Sequence, residues 1–316
     1  MNPRRTFLKN VSLAGMSLGL GAWASPPETR RIGIIGLDTS HSEVFTRLIH
    51  ESSGAYRVVA AYAQGSKDIP SALQLRPGVT QAVQKMGVEL VGSIAELLDK
   101  VDCVLLETND GRPHLEQVLP VLKAGKRVFV DKPLAASLAD AERIFQAAED
   151  AKTPLFTTSA LRFDANVQKV ANGSIGAVTG ADVYAPATLD PHHLDLAWYA
   201  IHGVEMLCTV MGTGCRRVSR VYEAGTDLVT AVWEDGRIGT VRGIRKGATN
   251  IAGTAFGEKG IAPLGPFSSY QPLIDQILRF FDTGVPPVTP QQTLEIFRFL
   301  DAADRSRRKN GKTIVL

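Results

Sequence analysis

Cysteine is scarce in this chain. Cys103, Cys208 and Cys215 are odd in number and lack the paired spacing of a zinc ligand set. Their scarcity excludes a disulfide framework. Cys103 falls in an apolar strand pattern and reads as a buried thiol, while a Cys208–Cys215 bridge stays open. No apolar run reaches the roughly 18–20 residues that a bilayer span needs, so stable membrane insertion is not expected. A basic surface is missing as well. The formal charge is +3, and Arg4, Arg5 and Lys9 sit in a first stretch of 24 residues that holds no acid. The remainder is near neutral, which excludes a nucleic-acid-binding stripe. The late run Arg305-Ser306-Arg307-Arg308-Lys309 reads as a helix end, where cations complement the dipole. Internal repeats and low-complexity tracts are absent.

What is present begins with a targeting segment over residues 1–24. Arg4-Arg5-Thr6-Phe7-Leu8-Lys9 is a twin-arginine signal, followed by an apolar run and a small-x-small site at Ala22-Trp23-Ala24. The expectation is a protein handed folded to the export machinery and released in the periplasm.

Strand and helix patterns alternate over residues 31–155. Strands are expected at 32–35, 56–62, 88–91, 102–107 and 127–130. Helices are expected at 42–51, 79–86, 94–98, 114–124 and 138–151. Residues 64–76 read as loop, broken by Gly65, Pro70 and Pro77. Ser40 and Glu43 have capping-box spacing. Continuous apolar runs such as Cys103-Val104-Leu105-Leu106 suit strands buried on both faces, so the sheet is expected to be parallel. Residues 156–316 read differently. Strands at 178–184, 217–223, 227–233 and 238–244 enclose a helix at about 198–211, and Glu234-Asp235-Gly236-Arg237 is a hairpin turn. Helices at 270–281 and 290–308 follow, the second capped by Thr289 and opened by Pro290. The fold class is α/β: a Rossmann-type parallel-sheet domain, then an α+β domain with an open, mostly antiparallel sheet.

The first strand ends in a nucleotide-binding turn whose glycines are replaced. A dinucleotide fold asks for G-x-G-x-x-G, and the chain reads Gly36-Leu37-Asp38-Thr39-Ser40-His41. Asp38 stands at the second glycine, which lets backbone approach a pyrophosphate, and His41 at the third. A carboxylate there adds bulk and a like charge. The turn keeps the architecture of a nicotinamide enzyme and disputes its cofactor.

Gly125-Lys126-Arg127-Val128-Phe129-Val130-Asp131-Lys132-Pro133-Leu134-Ala135 resembles the G-K-x-V-x-x-E-K-P-L-A string of the glucose–fructose oxidoreductase / inositol dehydrogenase (Gfo/Idh/MocA) family, with Asp131 for the usual Glu. His114, Thr108 after the fourth strand, Gly257-Glu258-Lys259-Gly260 and the C-terminal Gly311-Lys312-Thr313-Ile314-Val315-Leu316 also resemble it, and the likeness runs from Arg31 to the end. It implies an NAD- or NADP-dependent oxidoreductase acting on a sugar or polyol, assembled as a homo-oligomer. It implies cofactor contacts at Gly36, Asp38, Thr39, Ser40, His41, Thr108, Asn109, Asp131 and Lys132. Lys132 takes the place of the catalytic lysine and His202 that of the histidine. Departures accompany the likeness. Trp198 stands where the family has an aspartate, and the end of the second strand, Ala60-Ala61-Tyr62-Ala63-Gln64, lacks a ribose-binding acid. Ser66 and Lys67 are candidates for an NADP 2′-phosphate.

Lys132 also reads as functional by itself. It ends a parallel strand, where open α/β sheets place their sites, and an ammonium there serves as acid or base. His202 suits proton transfer near neutral pH. A rival reading uses His41, His114, His192, His193 and His202 with Glu107, Asp110 and Glu205, an imidazole–carboxylate set for zinc or another divalent metal. The protein would then be a redox-silent, metal-dependent or acid–base lyase or hydrolase of glycosides. Sugar binding without turnover is a third reading. Trp198, Tyr199 and Trp233 are candidates for a stacking wall.

Overall fold

The computed structural model describes residues 29–52 and 54–316. The expected signal segment lies outside the described residues.

The first domain is a six-stranded parallel sheet. Its strands are β1 (Arg30–Ile35), β2 (Tyr56–Tyr62), β3 (Glu89–Leu90), β4 (Cys103–Leu106), β5 (Val128–Val130) and β6 (Leu155–Thr157), in the order β3-β2-β1-β4-β5-β6. That is the doubly wound Rossmann order, with a crevice where the order reverses between β1 and β4. Helices α1 (Ser40–Ser52), α2 (Pro70–Lys85), α3 (Ile94–Lys100), α4 (His114–Lys123) and α5 (Leu138–Asp150) make the crossovers. The central strands are apolar and buried along their length, as parallel strands covered on both faces must be.

Two local expectations are corrected here. Helix α2 begins at Pro70 and runs through Pro77, although this stretch reads as loop. Pro70 is tolerated in the first turn, where its missing N–H has no partner to lose. Pro77 cannot bond the carbonyl of Leu73, but Leu73 is 42% exposed, so water is at hand. Helix α1 begins at Ser40, so Ser40 does not cap it. The His41 N–H instead meets Thr39 Oγ1 at 3.4 Å.

After a short 3₁₀ turn (Ala160–Phe163) and α6 (Ala165–Ala171), the second domain is a seven-stranded mixed sheet. It contains β7 (Val178–Pro186), β8 (Cys215–Glu223), β9 (Thr226–Trp233), β10 (Ile238–Ile244), β11 (Ala252–Gly257), β12 (Gly260–Leu264) and β13 (Ile314–Val315). The order is β12-β11-β7-β10-β9-β8-β13, with β7 and β10 parallel and the other pairs antiparallel. The turn at Glu234–Arg237 joins β9 to β10, and Gly236 takes the positive φ (89°) that the hairpin requires. Helix α7 (Ile201–Met211) covers one face, and Gly203 lets it approach closely. A Cβ at Gly203 would lie 3.1 Å from the Ala185 methyl.

Helix α8 (Gln271–Thr283) returns to the first sheet. Leu273, Ile274, Ile277, Phe280 and Phe281 pack in one core with Ile32, Phe45, Phe129 and Phe156. Helix α9 (Pro290–Arg308) packs on β8 and against α5, and Thr289 with Gln292 forms a complete capping box at its start. The return of α8 brings Tyr270, at its N-terminus, to the C-terminal edge of the parallel strands.

Candidate active site at the ends of β1, β4 and β5

The C-terminal edge of the parallel sheet carries Gly36 after β1, Glu107 after β4 and Asp131-Lys132 after β5. Gly36 has φ +89°, and a Cβ on it would lie 2.5 Å from the Thr108 backbone nitrogen. The first glycine of the motif is therefore required by the fold itself, whether or not a phosphate binds.

Asp38 is fully buried. Its Oδ2 accepts from the Ser66 N–H at 2.6 Å and its Oδ1 from the Asn109 N–H at 2.9 Å, and Arg76 lies 3.6 Å away. One carboxylate thus bridges the loops after β2 and β4, across the crevice a dinucleotide would occupy. Leu37, Asp38 and Thr108 have no exposed surface, and Ser66 has 1%. As folded, this turn does not fit a pyrophosphate. Ser66 is consumed inside the protein too, since its hydroxyl donates to Asp110 Oδ2 at 3.2 Å. Lys67 is exposed and lines a shallow groove with Asp68, Asp110 and Arg112. Ser40 is exposed and stands apart from the buried groups.

The buried groups form one cluster. His41 Nδ1 lies 2.7 Å from Asp131 Oδ2, and its Nε2 lies 3.0 Å from the Tyr270 hydroxyl. The His41 ring stacks on Phe45, with centroids 5.1 Å apart and 8° between planes. Burial alone would raise Asp131, but His41 and Lys132 outweigh it and hold this carboxyl at about 2. Glu107 goes the other way. Burial, then repulsion from Asp131, raises it well above the usual carboxyl range, with Lys132 opposing. Tyr270 is pushed up to about 12 by burial and by Asp131. Lys132 is 8% exposed, and no ion pair holds it among the described residues.

His202 enters from α7. Its Nδ1 lies 2.7 Å from Ser159 Oγ, and burial together with the charges of Lys132 and His41 drives its pKa well below 6.5. It is a neutral imidazole. Glu205, one turn further along α7, takes no direct part. It accepts from the Ser159 N–H at 2.8 Å and from Arg162 Nε at 2.8 Å, and it bonds the Thr158 hydroxyl. These bonds fix the Ser159 loop that orients His202.

The wider imidazole–carboxylate set does not assemble. His114 is buried between the Thr108 carbonyl (2.7 Å) and the Leu134 carbonyl (3.0 Å), so it ties two site loops together from behind. His193 clasps Asp190 (2.8 Å), accepts from the Gly111 N–H (3.0 Å) and lies 3.3 Å from Asp110. His192 is exposed. Asp110 is held below its usual range, because hydrogen bonds from His193 and Arg112 outweigh its burial. Among the described residues only His41, Glu107 and Asp131 gather ligand atoms closely enough for a metal. The aromatic wall is corrected as well. Trp233 is 1% exposed and its Nε1 donates to the Gly212 carbonyl, so it belongs to the core. Tyr199 is 42% exposed and meets the His202 ring edge-on. The three cysteines are free, so the Cys208–Cys215 bridge is not formed. Tyr270 and Ser159 carry no local sequence signal, since their partners lie 229 and 43 residues away.

Comparison with known proteins fits this architecture. Residues 30–159 match the Gfo/Idh/MocA model, an oxidoreductase family with an NAD-binding Rossmann fold. This stretch resembles the Rossmann domain of that family. Myo-inositol 2-dehydrogenase of Thermotoga maritima is 34% identical over 173 residues, 50% of each chain. The 1,5-anhydro-D-fructose reductase of Ensifer adhaerens is 32% identical over 166 residues, 51% of this chain and 47% of that one. The chain spans about half the length of these relatives in alignment. Scyllo-inositol dehydrogenase from Lactobacillus casei, solved with NAD(H) and scyllo-inositol, superposes with a TM-score of 0.73 at 18% identity, covering 91% of this chain and 99% of that one. Myo-inositol 2-dehydrogenase from Lactobacillus plantarum gives 0.74 at 17%, covering 92% and 100%. At these identities the structural likeness concerns the fold. The family match supports a Rossmann fold of the NAD-binding type for residues 30–159, and the solved structures extend the likeness in fold to the second domain. Among the described residues no helix is long and apolar enough to cross a membrane.

Proposed function

We propose that this protein is a Gfo/Idh/MocA-type enzyme that transforms a sugar or polyol by proton transfer at Lys132 and His202, with its nucleotide turn closed. The observation that carries this reading is the burial of Asp38 across Ser66 and Asn109. The crevice is filled by the protein's own carboxylate, yet the catalytic end of the sheet keeps its charged groups. His202 is neutral and suited to take a proton. Lys132 supplies a fixed positive charge for the oxygen that becomes anionic, and it can return a proton to a leaving group. Glu107, whose carboxyl burial raises well above its usual range, is a second group able to carry a proton. In an elimination, His202 takes the proton of a sugar C–H bond, the C–O bond to the leaving group breaks as a C=C bond forms, and Lys132 protonates the departing oxygen; in a hydrolysis, the proton comes from a water whose oxygen replaces that group, and neither needs hydride transfer. Export through the twin-arginine signal agrees with it, because a compartment outside the cytoplasm offers little free nicotinamide. We also infer a homo-oligomer formed through the uncovered face of the second sheet.

A second reading keeps the redox chemistry: a dehydrogenase of a sugar or polyol using NAD or NADP. The match over residues 30–159 and the inositol dehydrogenase relatives favour it. In that case the turn at Asp38 would have to open.

The deciding experiment uses the folded protein after Ala24. Its absorbance is recorded, NADH and NADPH are titrated by fluorescence, and a panel of glycosides and polyols is followed with wild type and Lys132→Met. The expected result is no bound nicotinamide, no fluorescence enhancement, and substrate consumption that Lys132→Met abolishes. Stoichiometric nicotinamide, or coupled NAD(P) reduction, establishes the dehydrogenase instead. Sugar binding that no condition converts to turnover overturns both in favour of a binding protein.

A further inference from the structure

Glu107 stands at the end of β4 with no exposed surface, and neither of its carboxylate oxygens has a hydrogen-bond partner. A buried carboxyl group without a donor is costly unless something else satisfies it. Lys132 influences it electrostatically but forms no hydrogen bond with it among the described residues. Two other potential ligands stand beside Glu107. One ligand atom from each of His41, Glu107 and Asp131 falls within 4.8 Å of the others. Donors held about 2.1 Å from a divalent ion stand roughly 3 to 4 Å apart, so small side-chain shifts set the three donors around one ion, with His41 Nδ1 and Asp131 Oδ2 parting slightly from 2.7 Å.

The arrangement around His41 points the same way. A histidine that binds a metal through one nitrogen commonly anchors the other to an oxygen outside the shell. Here Nε2 meets the Tyr270 hydroxyl at 3.0 Å, while Nδ1 faces Asp131 Oδ2 at 2.7 Å. The proton that joins His41 Nδ1 to Asp131 is the one a divalent cation would displace, leaving both groups free as ligands. The three groups come from separate elements: the start of α1, the end of β4 and the end of β5. All three elements are fixed by the core, so the geometry is built into the fold and does not rest on one mobile loop.

We propose that His41, Glu107 and Asp131 form a binding site for one divalent cation of the zinc or manganese class, set where the parallel strands end. One imidazole and two carboxylates suit a borderline ion and leave positions open toward Lys132 and His202. A hydroxyl or carbonyl oxygen of a sugar fits such a position, where the ion acts as a Lewis acid. The binding site stands apart from the proton-transfer reading, and only this last role rests on it. His41, Lys132 and His202 keep 8–9% exposure, a narrow path by which a small ion and a substrate oxygen reach the cluster.

The test begins with the folded protein after exhaustive chelation. Zinc chloride and manganese chloride are titrated by calorimetry, and metal retained after dialysis is counted by mass spectrometry. One ion per chain is expected. Affinity should fall at least tenfold in Glu107→Gln, which preserves shape, and in His41→Ala, with circular dichroism confirming the fold of each. Cobalt(II) added to the wild type should give visible d–d bands, and this readout needs no variant. No uptake of any of the three ions by the wild type overturns the proposal, and so does uptake that survives both substitutions unchanged. Failure of turnover with metal bound counts against the proton-transfer reading and leaves the site intact. Turnover by a metal-free enzyme, with no uptake, does the reverse.

Discussion

Asp38 and Gly65 are matched to each other. A Cβ built on Gly65 would lie 2.2 Å from Asp38 Oδ2, so the glycine makes room for the carboxylate that spans the crevice. That carboxylate satisfies the N–H groups of Ser66 and Asn109. Removing it leaves the buried Ser66 N–H without a partner, at about 1–3 kcal/mol, and frees the half-buried Asn109 N–H as well. Asp38→Gly should therefore lose several degrees in its thermal midpoint. It should gain affinity for NADH if the opened turn faces a phosphate site. Gly65→Ala should be destabilising alone and nearly neutral on the Asp38→Gly background, a coupling a double-mutant cycle measures. Additive effects would show that the two residues do not compete for one space.

His202 makes a prediction about pH. Its pKa in the folded chain is driven well below 6.5 by burial, Lys132 and His41. The unfolded chain therefore takes up a proton near pH 6.5 that the folded chain refuses. Stability from this group is complete above pH 6.5 and is lost as pH falls toward the folded value. Glu107 and Asp304 change in the opposite sense, since burial raises both. The histidine is accordingly read by difference. Between pH 7.5 and 5.5 the stability of wild type minus that of His202→Asn should shrink by about 1 kcal/mol. Parallel curves from urea denaturation would mean that His202 titrates in the fold as it does in the unfolded chain. On the same grounds, turnover should hold from pH 8 to 6.5 without an acid limb from this residue.

Arg220 is the structural keystone of the second domain. It is 1% exposed, and it pairs with Asp227 (2.9 Å), Asp304 (3.0 Å) and Asp195 (3.0 Å), carboxylates from β9, α9 and the loop before α7. Burial, then Asp195, pushes Asp304 up to about 6 even so. Taking the guanidinium away leaves buried carboxylates facing one another. Arg220→Met should cost about 3–5 kcal/mol, the usual penalty for breaking a buried ion pair from one side. Arg220→Lys should recover part of that loss, because one ammonium cannot reach three acids with a planar fork. Denaturant midpoints for the two variants check the ranking, and an Arg220→Met protein as stable as wild type would refute it.

Much of this was legible in the chain itself, for identifiable reasons. Thr289-Pro290 with Gln292 announces α9, because cap chemistry is local. Cys103-Val104-Leu105-Leu106 announces a strand covered on both faces. Glu234-Asp235-Gly236-Arg237 announces a hairpin, because few residues accept its φ. Asp131-Lys132 and His202 were marked by motif and position. The misreadings have physical causes too. Pro77 passes through α2 on a solvent-facing stretch, since Leu73, whose carbonyl it cannot bond, is 42% exposed. Trp233 is a core residue because its indole N–H finds the Gly212 carbonyl. Tyr270 reaches His41 only after α8 folds back over the first sheet. The role of Asp38 is of this last kind. The sequence shows a carboxylate where a glycine belongs, but its two N–H partners come from loops 28 and 71 residues away.

The outer face of the second sheet carries a row that crosses four strands. Tyr184 on β7 is level with Arg242 on β10, Arg242 with Leu228 on β9, and Leu228 with Val221 on β8. Tyr184 is 38% exposed, Leu228 36% and Val221 65%, while their neighbours Val183, Val229 and Ala231 are buried beneath α7 and α9. A sheet with one face packed and, on the other, three exposed apolar side chains in line with Arg242 invites a second sheet, and two copies meeting face to face would bury the row in both. The wild type should therefore sediment as an oligomer at micromolar concentration. Leu228→Glu with Val221→Glu should convert it to monomers without altering the far-ultraviolet dichroism, since neither side chain contributes to the core. Wild-type protein that sediments as a monomer at every concentration would exclude this face as an interface between copies. An oligomer that survives the double substitution would place the interface elsewhere on the surface.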